Sequence, residues 1–286
     1  MLVWLDQVEC QEVTLVGGKA ANLSRLAALH AVPPGFCLTT EAHAQWACGP
    51  PASSAPDPVR ELLTTAYARL AARCQMAEPR VAVRSSAVGE DGQSASFAGQ
   101  YETYLNMVGV DAVVGAVTRC WASAHSERVL AYHRQHGQAR ADIHLAVLVQ
   151  QLVAADMSLV AFSANPVSGD SAEVVINASW GLGESVVSGT VTPDTYVVRK
   201  ADLLVTARHI AEKQRMTIMA PHGVQEVLIP RPMRRQRALS DAQAIEVARL
   251  ARTLETHMGW PVDIECAYQG NTLYLLQCRP ISTLHG

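Results

Sequence analysis

The segment Val262–Pro280 constrains the fold more than any other part of the sequence. In its first half, apolar residues alternate with acidic residues up to Cys266, which is the period of a β-strand. Gln269-Gly270-Asn271 is typical of a tight turn, and the apolar run Leu273–Leu276 suits a second, buried strand. The pattern therefore predicts a β-hairpin.

The predicted hairpin carries polar side chains that suit a metal ion and a polyphosphate. Asp263 and Glu265 share one face of the first strand, and Gln277 and Arg279 share one face of the second. Carboxylate and amide oxygens are ligands for Mg²⁺, and a guanidinium forms a planar fork that matches phosphate. The alternative is that these residues form the polar outer face of an ordinary hairpin.

The composition is that of a globular protein with room for one large domain or two lobes. Hydrophobic residues make up 49% and charged residues 17% of the 286 residues. A net charge of −3 gives no electrostatic case for binding nucleic acid or a membrane surface. The seven cysteines include no Cys-x-x-Cys pair, and the sequence shows neither a signal peptide nor an apolar run of about 18 residues. We therefore expect reduced thiols and a cytoplasmic location.

Two other segments are candidates for phosphate binding. In the first, a short strand is predicted at Val13–Val16, followed by Gly17-Gly18-Lys19 and an amphipathic helix. Glycines let the backbone approach a phosphate, a helix N-terminus favours an anion, and the lysine adds charge. In the second, the strand Val81–Val83 ends at Arg84, and the glycine-rich stretch Ala87–Gln100 could cover phosphates as a lid. An ordinary glycine turn and a surface loop are the alternatives.

The other elements are predicted from periodicity and end signals. A helix opens at Asp57 and runs to about Cys74, and a capping box at Ser240–Gln243 begins a helix that Gly259 ends. An apolar strand from Leu145 ends in two amides, of which Gln150 could contact an adenine or simply satisfy backbone groups. Polar and basic residues dominate 212–237, which we predict to be a mobile excursion from the core.

Eight motifs, in this order along the chain, resemble those of one family. They are Val16-Gly17-Gly18-Lys19-Ala20-Ala21-Asn22-Leu23, Pro33-Pro34-Gly35-Phe36, Val83-Arg84-Ser85-Ser86-Ala87, Ser96-Phe97-Ala98-Gly99-Gln100, Trp180-Gly181-Leu182-Gly183-Glu184, Pro193-Asp194, Asp263-Ile264-Glu265 and Leu276-Gln277-Cys278-Arg279-Pro280-Ile281. Together they resemble the nucleotide-binding domain of the pyruvate phosphate dikinase, phosphoenolpyruvate synthase and rifampin phosphotransferase group. The resemblance covers nearly the whole chain.

This resemblance implies an α+β, ATP-grasp-like fold of two lobes with the nucleotide between them. Residues 1–286 would form one ATP-binding domain, with an N-terminal lobe of roughly residues 1–105 and a remainder of roughly residues 106–286. The implied cofactors are ATP and Mg²⁺, with Mn²⁺ as a possible substitute.

The resemblance also implies roles for eight residues. Lys19 and Arg84 would contact the ATP phosphates, Gly99 and Thr103 would belong to the loop that covers them, and Gln150 would lie near the adenine. Glu265 and Gln277 would hold the metal ion with the phosphates, and Arg279 would neutralise the transferred charge. Lys19, Arg84 and Arg279 would thus form the catalytic set.

The sequence departs from the family pattern at four positions outside this set. Leu159 stands where a glycine is expected, Ser163 replaces a threonine, Ala21 replaces a glycine, and Cys266 replaces a tryptophan. Family enzymes also continue past the Arg-Pro motif into a swivelling domain with a phosphorylated histidine. None of the ten histidines here has the small-residue setting expected of that acceptor.

The favoured function is therefore ATP-dependent phosphoryl transfer to a histidine on a partner protein or on missing C-terminal domains, with a small molecule as the final acceptor. Two alternatives remain open at this point. One is a stand-alone ATP-dependent kinase or ligase that acts directly on a small molecule. The other is a non-catalytic nucleotide sensor or scaffold.

Overall fold

The chain folds into two compact units of mixed helix and sheet, which confirms the predicted α+β class. The computed structural model describes residues 1–47, 57–89, 102–124, 126–127, 129 and 145–281. The first unit comprises residues 1–152 and 221–223, and the second comprises residues 153–220 and 224–286. The expected lobe boundary near residue 105 falls inside the first unit, because a helix and a strand beyond it complete the core of that unit.

The first unit is a five-stranded sheet with helices packed on it. Its strands are β1 (Leu2–Trp4), β2 (Gly35–Leu38), β3 (Val81–Ala87), β4 (Thr103–Met107) and β5 (Leu145–Gln151). Its helices are α1 (Val13–Leu26), α2 (Thr40–Ala47), α3 (Asp57–Cys74) and α4 (Val110–Ser123), with a 3₁₀ helix at Val8–Gln11. The strands are antiparallel and lie in the order β1-β2-β5-β3-β4.

The main core of this unit lies between the sheet and helices α2, α3 and α4. Val83 of β3 and Val149 of β5 are fully buried there, in one cluster with Leu63 of α3 and Trp121 of α4. Because side chains alternate along a strand, the residues next to each of these valines on its own strand face the opposite side of the sheet. Helix α1 packs on that opposite side.

The strand predicted at Val13–Val16 is wrong, because these residues open helix α1. The side chain of Glu12 caps this helix by accepting a hydrogen bond from the backbone N–H of Thr14. Gly17 then interrupts the helical backbone with a φ of 74°, so the glycine segment is a kink within a helix and not a strand-to-helix turn. A four-residue segment with three apolar residues fits either structure, which is why periodicity could not separate them.

The second unit contains a six-stranded sheet and a separate two-stranded hairpin. Its strands are β6 (Met157–Phe162), β7 (Glu173–Trp180), β8 (Asp194–Arg199), β9 (Leu204–His209), β10 (Arg215–Met219), β11 (Val224–Leu228), β12 (Val262–Gln269) and β13 (Thr272–Pro280). Its helices are α5 (Glu184–Val187) and α6 (Asp241–Met258), with a 3₁₀ helix at Arg231–Met233. The large sheet has the order β13-β12-β6-β7-β8-β9, and β10 pairs with β11.

The predicted C-terminal helix and hairpin are both confirmed. The hydroxyl of Ser240 accepts from the backbone N–H of Gln243, whose side chain accepts from the backbone N–H of Ser240. Gly259 ends α6 in the left-handed conformation, with a φ of 76°. Strands β12 and β13 then pair along their whole length around the turn at Gly270.

Residues 212–237, predicted to be a mobile excursion, are instead anchored to the second unit by a buried ion pair. Lys213 and Asp194 are both 0% exposed, and Lys213 Nζ lies 2.6 Å from Asp194 Oδ1. The backbone N–H groups of Ala211 and Ala238 donate to the two oxygens of the same carboxylate. A single aspartate therefore holds both ends of the segment that contains β10 and β11.

None of the helices that the structure describes is long and apolar enough to cross a membrane.

Candidate functional site

In the first unit, the glycine–lysine segment of α1 packs directly on the end of β3. A Cβ atom on Gly17 would lie 2.2 Å from the carbonyl oxygen of Ser86, so only glycine fits at this point. The backbone N–H of Ala20 donates to Ser86 Oγ at 3.2 Å, and Lys19 Nζ donates to the carbonyl oxygen of Ser85 at 2.9 Å. The side chain of Lys19 is consequently held in place and is only 6% exposed.

Arg84, Thr103 and Gln150 lie on the same face of this sheet as α1. In the strand register Arg84 pairs with Thr103 on one side and with Leu148 on the other. Paired residues share a face, and Gln150 shares it too because it lies two positions after Leu148 on β5. Four of the sequence-predicted residues, Lys19 included, are thus brought together in the first unit. Gly99, also predicted, lies outside the described residues.

The orientation of the Gln150 amide is fixed by its contact with the proline segment before β2. Gln150 is 2% exposed, and its Nε2 donates to the carbonyl oxygen of Pro33 at 3.0 Å. Gly35 pairs with Gln150 in the register, and a Cβ atom on Gly35 would lie 2.7 Å from the carbonyl oxygen of Val149. The glycine therefore allows the close approach that positions this amide.

In the second unit, the hairpin β12–β13 pairs the four predicted polar residues across its strands. Asp263 stands opposite Arg279, and Glu265 stands opposite Gln277; we call these four residues the hairpin polar row. Arg279 Nε and Nη2 each lie 2.8 Å from Asp263 Oδ2. A β-bulge follows Glu265, since Cys266 pairs with Leu275 and not with Leu276. Such bulges commonly occur beside active sites, where they redirect side chains.

Asp263 was predicted on the polar face of the hairpin, but the family resemblance implied no separate role for it. Burial raises the pKa of its carboxyl, although the charge of Arg279 and the hydrogen bonds from it act in the opposite direction. Among the described residues, its Oδ1 is buried without a hydrogen-bond partner. Its spacing of two residues from Glu265 places both carboxylates on one face of β12, as the sequence predicted.

The hairpin polar row fits a hard divalent cation that is also bound by phosphate. It supplies two carboxylates and one amide oxygen, and Gln277 is buried whereas Glu265 is partly exposed. In the described part of the chain, no three His, Cys, Asp or Glu residues form a group able to bind a metal ion by themselves. Mg²⁺ suits such a set because it uses few protein carboxylates and takes further ligands from phosphate and water.

The glycine segment at the end of β7 has a structural explanation. Gly181 has a φ of 79°, and a Cβ atom there would lie 2.4 Å from the carbonyl oxygen of Thr217 on β10. The backbone N–H of Leu182 donates to the same oxygen at 2.8 Å. This segment therefore joins the large sheet to the β10–β11 hairpin.

Comparisons with known proteins agree with the motif-based resemblance. A probable phosphoenolpyruvate synthase of Methanocaldococcus jannaschii is 37% identical over 99% of this chain and 27% of its own length. The phosphoenolpyruvate synthase of Pyrococcus furiosus is 36% identical over 98% of this chain and 44% of its own length. The rifampicin phosphotransferase of Streptomyces sviceus is 36% identical over 98% of this chain and 36% of its own length. The chain thus spans less than half the length of each of these relatives.

A solved structure, D-alanyl-alanine synthetase A from Vibrio cholerae, matches over 92% of this chain and 56% of that chain, with 12% identity and a TM-score of 0.38. The decisive match is to the family model described as pyruvate phosphate dikinase, AMP/ATP-binding domain, which covers residues 51–286. The chain therefore belongs to the pyruvate phosphate dikinase AMP/ATP-binding domain family.

Proposed function

We propose that this chain is the ATP-binding part of a phosphotransferase, and that it passes a phosphoryl group from ATP to a histidine on a separate or further domain. The observation that carries this proposal is the hairpin polar row, in which an Asp–Arg ion pair stands beside a Glu–Gln pair. Phosphoryl transfer requires positioning and charge neutralisation more than covalent chemistry, and these residue types provide both.

In this proposal Lys19 and Arg84 contact the phosphates of ATP. The contact between Lys19 and the carbonyl of Ser85 holds the ammonium group beside β3, and Arg84 is the preceding residue on that strand. Thr103 stands opposite Arg84 and, with Gly99, would belong to the loop that covers the phosphates. Gln150 would contact the adenine with the amide that Pro33 orients.

Glu265 and Gln277 would hold Mg²⁺, or Mn²⁺ in its place, because their side chains stand opposite each other on β12 and β13. The bound ion would supply neutralisation of the phosphate charge. Arg279, fixed by Asp263, would present a guanidinium to the phosphoryl group as negative charge develops on it.

The phosphoryl acceptor in this proposal lies outside the chain. The relatives extend well beyond the matched region, and the family motif implies a phosphohistidine domain that delivers the group to a small-molecule final acceptor.

The two-lobed, ATP-grasp-like architecture implied by the motifs is part of the proposal. A cytoplasmic location is also part of the proposal, and the free thiols of the six cysteines that the structure describes support it.

A binding experiment tests the first half of the proposal. Mg-ATP at a hundredfold excess over its dissociation constant should stabilise the protein by about 2.7 kcal/mol. Lys19→Ala and Arg84→Ala should remove most of this effect, whereas the control Arg231→Ala, on an exposed 3₁₀ helix, should not. A thermal-shift titration in which the wild type ignores Mg-ATP would refute ATP binding.

A labelling experiment tests the second half. Protein alone should bind ATP but hydrolyse it slowly and retain no acid-labile label from β- or γ-labelled ATP. Adding a phosphohistidine-domain protein from a family member should give acid-labile, base-stable label on that partner. Label that moves to a small molecule without any carrier would instead support direct kinase action.

A further inference from the structure

The second unit contains two buried aspartates that form ion pairs, and their surroundings differ in one informative respect. Both oxygens of Asp194 are satisfied: Oδ1 accepts from Lys213 Nζ and a backbone N–H, and Oδ2 accepts from a second backbone N–H. Asp263 is 6% exposed, yet in the described part of the chain only its Oδ2 accepts hydrogen bonds, and both donors are atoms of Arg279. Its Oδ1 has no partner among the described residues.

A buried carboxylate that serves only the fold is expected to have both oxygens paired, because an unpaired buried acceptor is costly. Asp194 meets this expectation and anchors a segment of chain. Asp263 does not meet this expectation, although it lies on β12 between β13 and β6, both of which could carry further donors. Among the described residues, Arg279 is therefore the sole hydrogen-bond donor to the side chain of Asp263, so the interactions of this carboxylate are directed to one guanidinium.

The geometry of Arg279 shows what Asp263 does to it. The Nε and Nη2 atoms both lie 2.8 Å from the same oxygen, so the edge of the guanidinium that carries them faces Asp263. A guanidinium is planar, so fixing this edge also fixes the direction in which Nη1 points. The side chain of Arg279 is 26% exposed, whereas that of Asp263 is 7% exposed, so the arginine is the more accessible member of the pair.

We propose that Asp263 is a positioning residue that fixes the guanidinium of Arg279 for the phosphate chain of a nucleoside triphosphate. This inference rests on the proposed function, because it takes the phosphates of ATP as the ligand. Asp263 acts through Arg279 and not by contacting the nucleotide itself. An arginine held in advance loses less side-chain entropy on binding phosphate than a mobile one does, which improves affinity for the phosphates.

The test compares the affinities of Asp263 variants for ATP and for AMP, measured by calorimetry without any divalent metal. Asp263→Asn keeps the shape of the side chain and removes its charge. It should weaken ATP binding about tenfold, as expected for two residues in direct contact, and leave AMP binding unchanged because AMP lacks the outer phosphates. Asp263→Glu, which keeps the charge but displaces it by one methylene, should give a smaller loss and serves as a second, independent variant.

A double-mutant cycle with Arg279→Ala separates positioning from a direct role. If Asp263 acts only through Arg279, then Asp263→Asn should cause no further loss of ATP affinity once Arg279 is removed. The matched control is Glu255→Gln, which breaks the ion pair between Glu255 of α6 and Lys200 after β8. This control should bind ATP as the wild type does.

Four results would overturn the inference. They are unchanged ATP affinity in Asp263→Asn, an equal loss for ATP and AMP, an equal loss in the presence and absence of Arg279, and failure of the wild type to bind ATP. Only the last of these would also refute the proposed function. With intact wild-type binding, each of the other three refutes the positioning role alone.

Discussion

The buried pair between Asp194 and Lys213 offers the sharpest test of how the second unit is held together. Replacing Asp194 by alanine leaves an ammonium group that is 0% exposed without its counter-ion. Removing one partner of such a pair costs about 3–5 kcal/mol. The same change leaves the backbone N–H groups of Ala211 and Ala238 without the acceptor they use, so the upper end of that range is expected. The free energy of unfolding of an ordinary domain is about 5–15 kcal/mol, so this loss would be a large share of the total stability.

Urea unfolding followed by tryptophan fluorescence measures this loss. Trp180 is a suitable reporter because its indole N–H donates to the carbonyl oxygen of Met233, inside the segment that Asp194 anchors. The unfolding midpoint of Asp194→Ala should fall sharply. The control Glu212→Gln, which breaks an exposed pair with Arg235, should leave the midpoint where it is.

A double variant tests the electrostatic reasoning behind the magnitude. Asp194→Leu combined with Lys213→Met removes both charges, and replacing a whole buried pair by apolar residues is often neutral or stabilising. The double variant should therefore be more stable than Asp194→Ala. If the single variant unfolds at the wild-type midpoint, or if the double variant is less stable than the single one, the buried pair does not anchor the segment as described.

Three further predictions concern the glycine kink, the metal ligands and the start of α6. Gly17→Ala should lower both the urea midpoint and the affinity for ATP, because its Cβ would lie 2.2 Å from a β3 carbonyl oxygen. The control is Gly169→Ala: Gly169 has a φ of 76° but open space around it, so this variant measures the cost of backbone strain alone. Glu265→Gln should reduce the Mg²⁺-dependent part of ATP stabilisation far more than metal-free ATP binding, as measured by thermal shift with and without Mg²⁺. The hydrogen bond and charge of Arg208 lower the pKa of Asp241, so this carboxylate stabilises the fold above about pH 4. The stabilisation is lost as the pH falls through the folded-state pKa of Asp241. The urea midpoints of Asp241→Asn and the wild type should therefore differ at pH 7 and converge in acid.

Each of these predictions has an outcome that contradicts it. Equal losses in the two glycine variants would mean that strain, and not the contact with β3, accounts for the effect. A Glu265→Gln variant that responds normally to low Mg²⁺ would remove Glu265 from the metal site. Midpoints that stay apart in acid would show that Asp241 acts at the helix terminus by something other than its charge.

Local signals predicted the C-terminal part of the fold correctly. The capping box at Ser240, the stop at Gly259 and the alternation in β12 each depend on residues close in sequence, so they could be identified without the structure. The pairing of Asp263 with Arg279 also follows from a short turn, because a hairpin brings nearby residues into register. That Asp263 Oδ1 has no hydrogen-bond partner among the described residues does not follow from the sequence, since it depends on which donors β6 and other elements bring near it.

Long-range contacts account for what the sequence did not predict. The basic, polar composition around Lys213 indicated a solvated segment, because lysine is rarely buried without a partner. Its partner Asp194 is the first residue of β8, and the spacing between the two residues carries no local signal. Likewise, the short segment Val13–Val16 before Gly17 could not distinguish a strand from the first turn of α1. For Lys213, a contact distant in the chain decided the structure.

The position of β5 in the first sheet has a consequence for the order in which the chain can fold. This strand lies between β2 and β3, but it is synthesised after both. A nascent chain that ends before Leu145 has β1–β2 and β3–β4 as two separate pairs, each with an unpaired inner edge. The first sheet therefore closes only when β5 leaves the ribosome, and fragments that stop short of it should aggregate, whereas fragments that include it should fold.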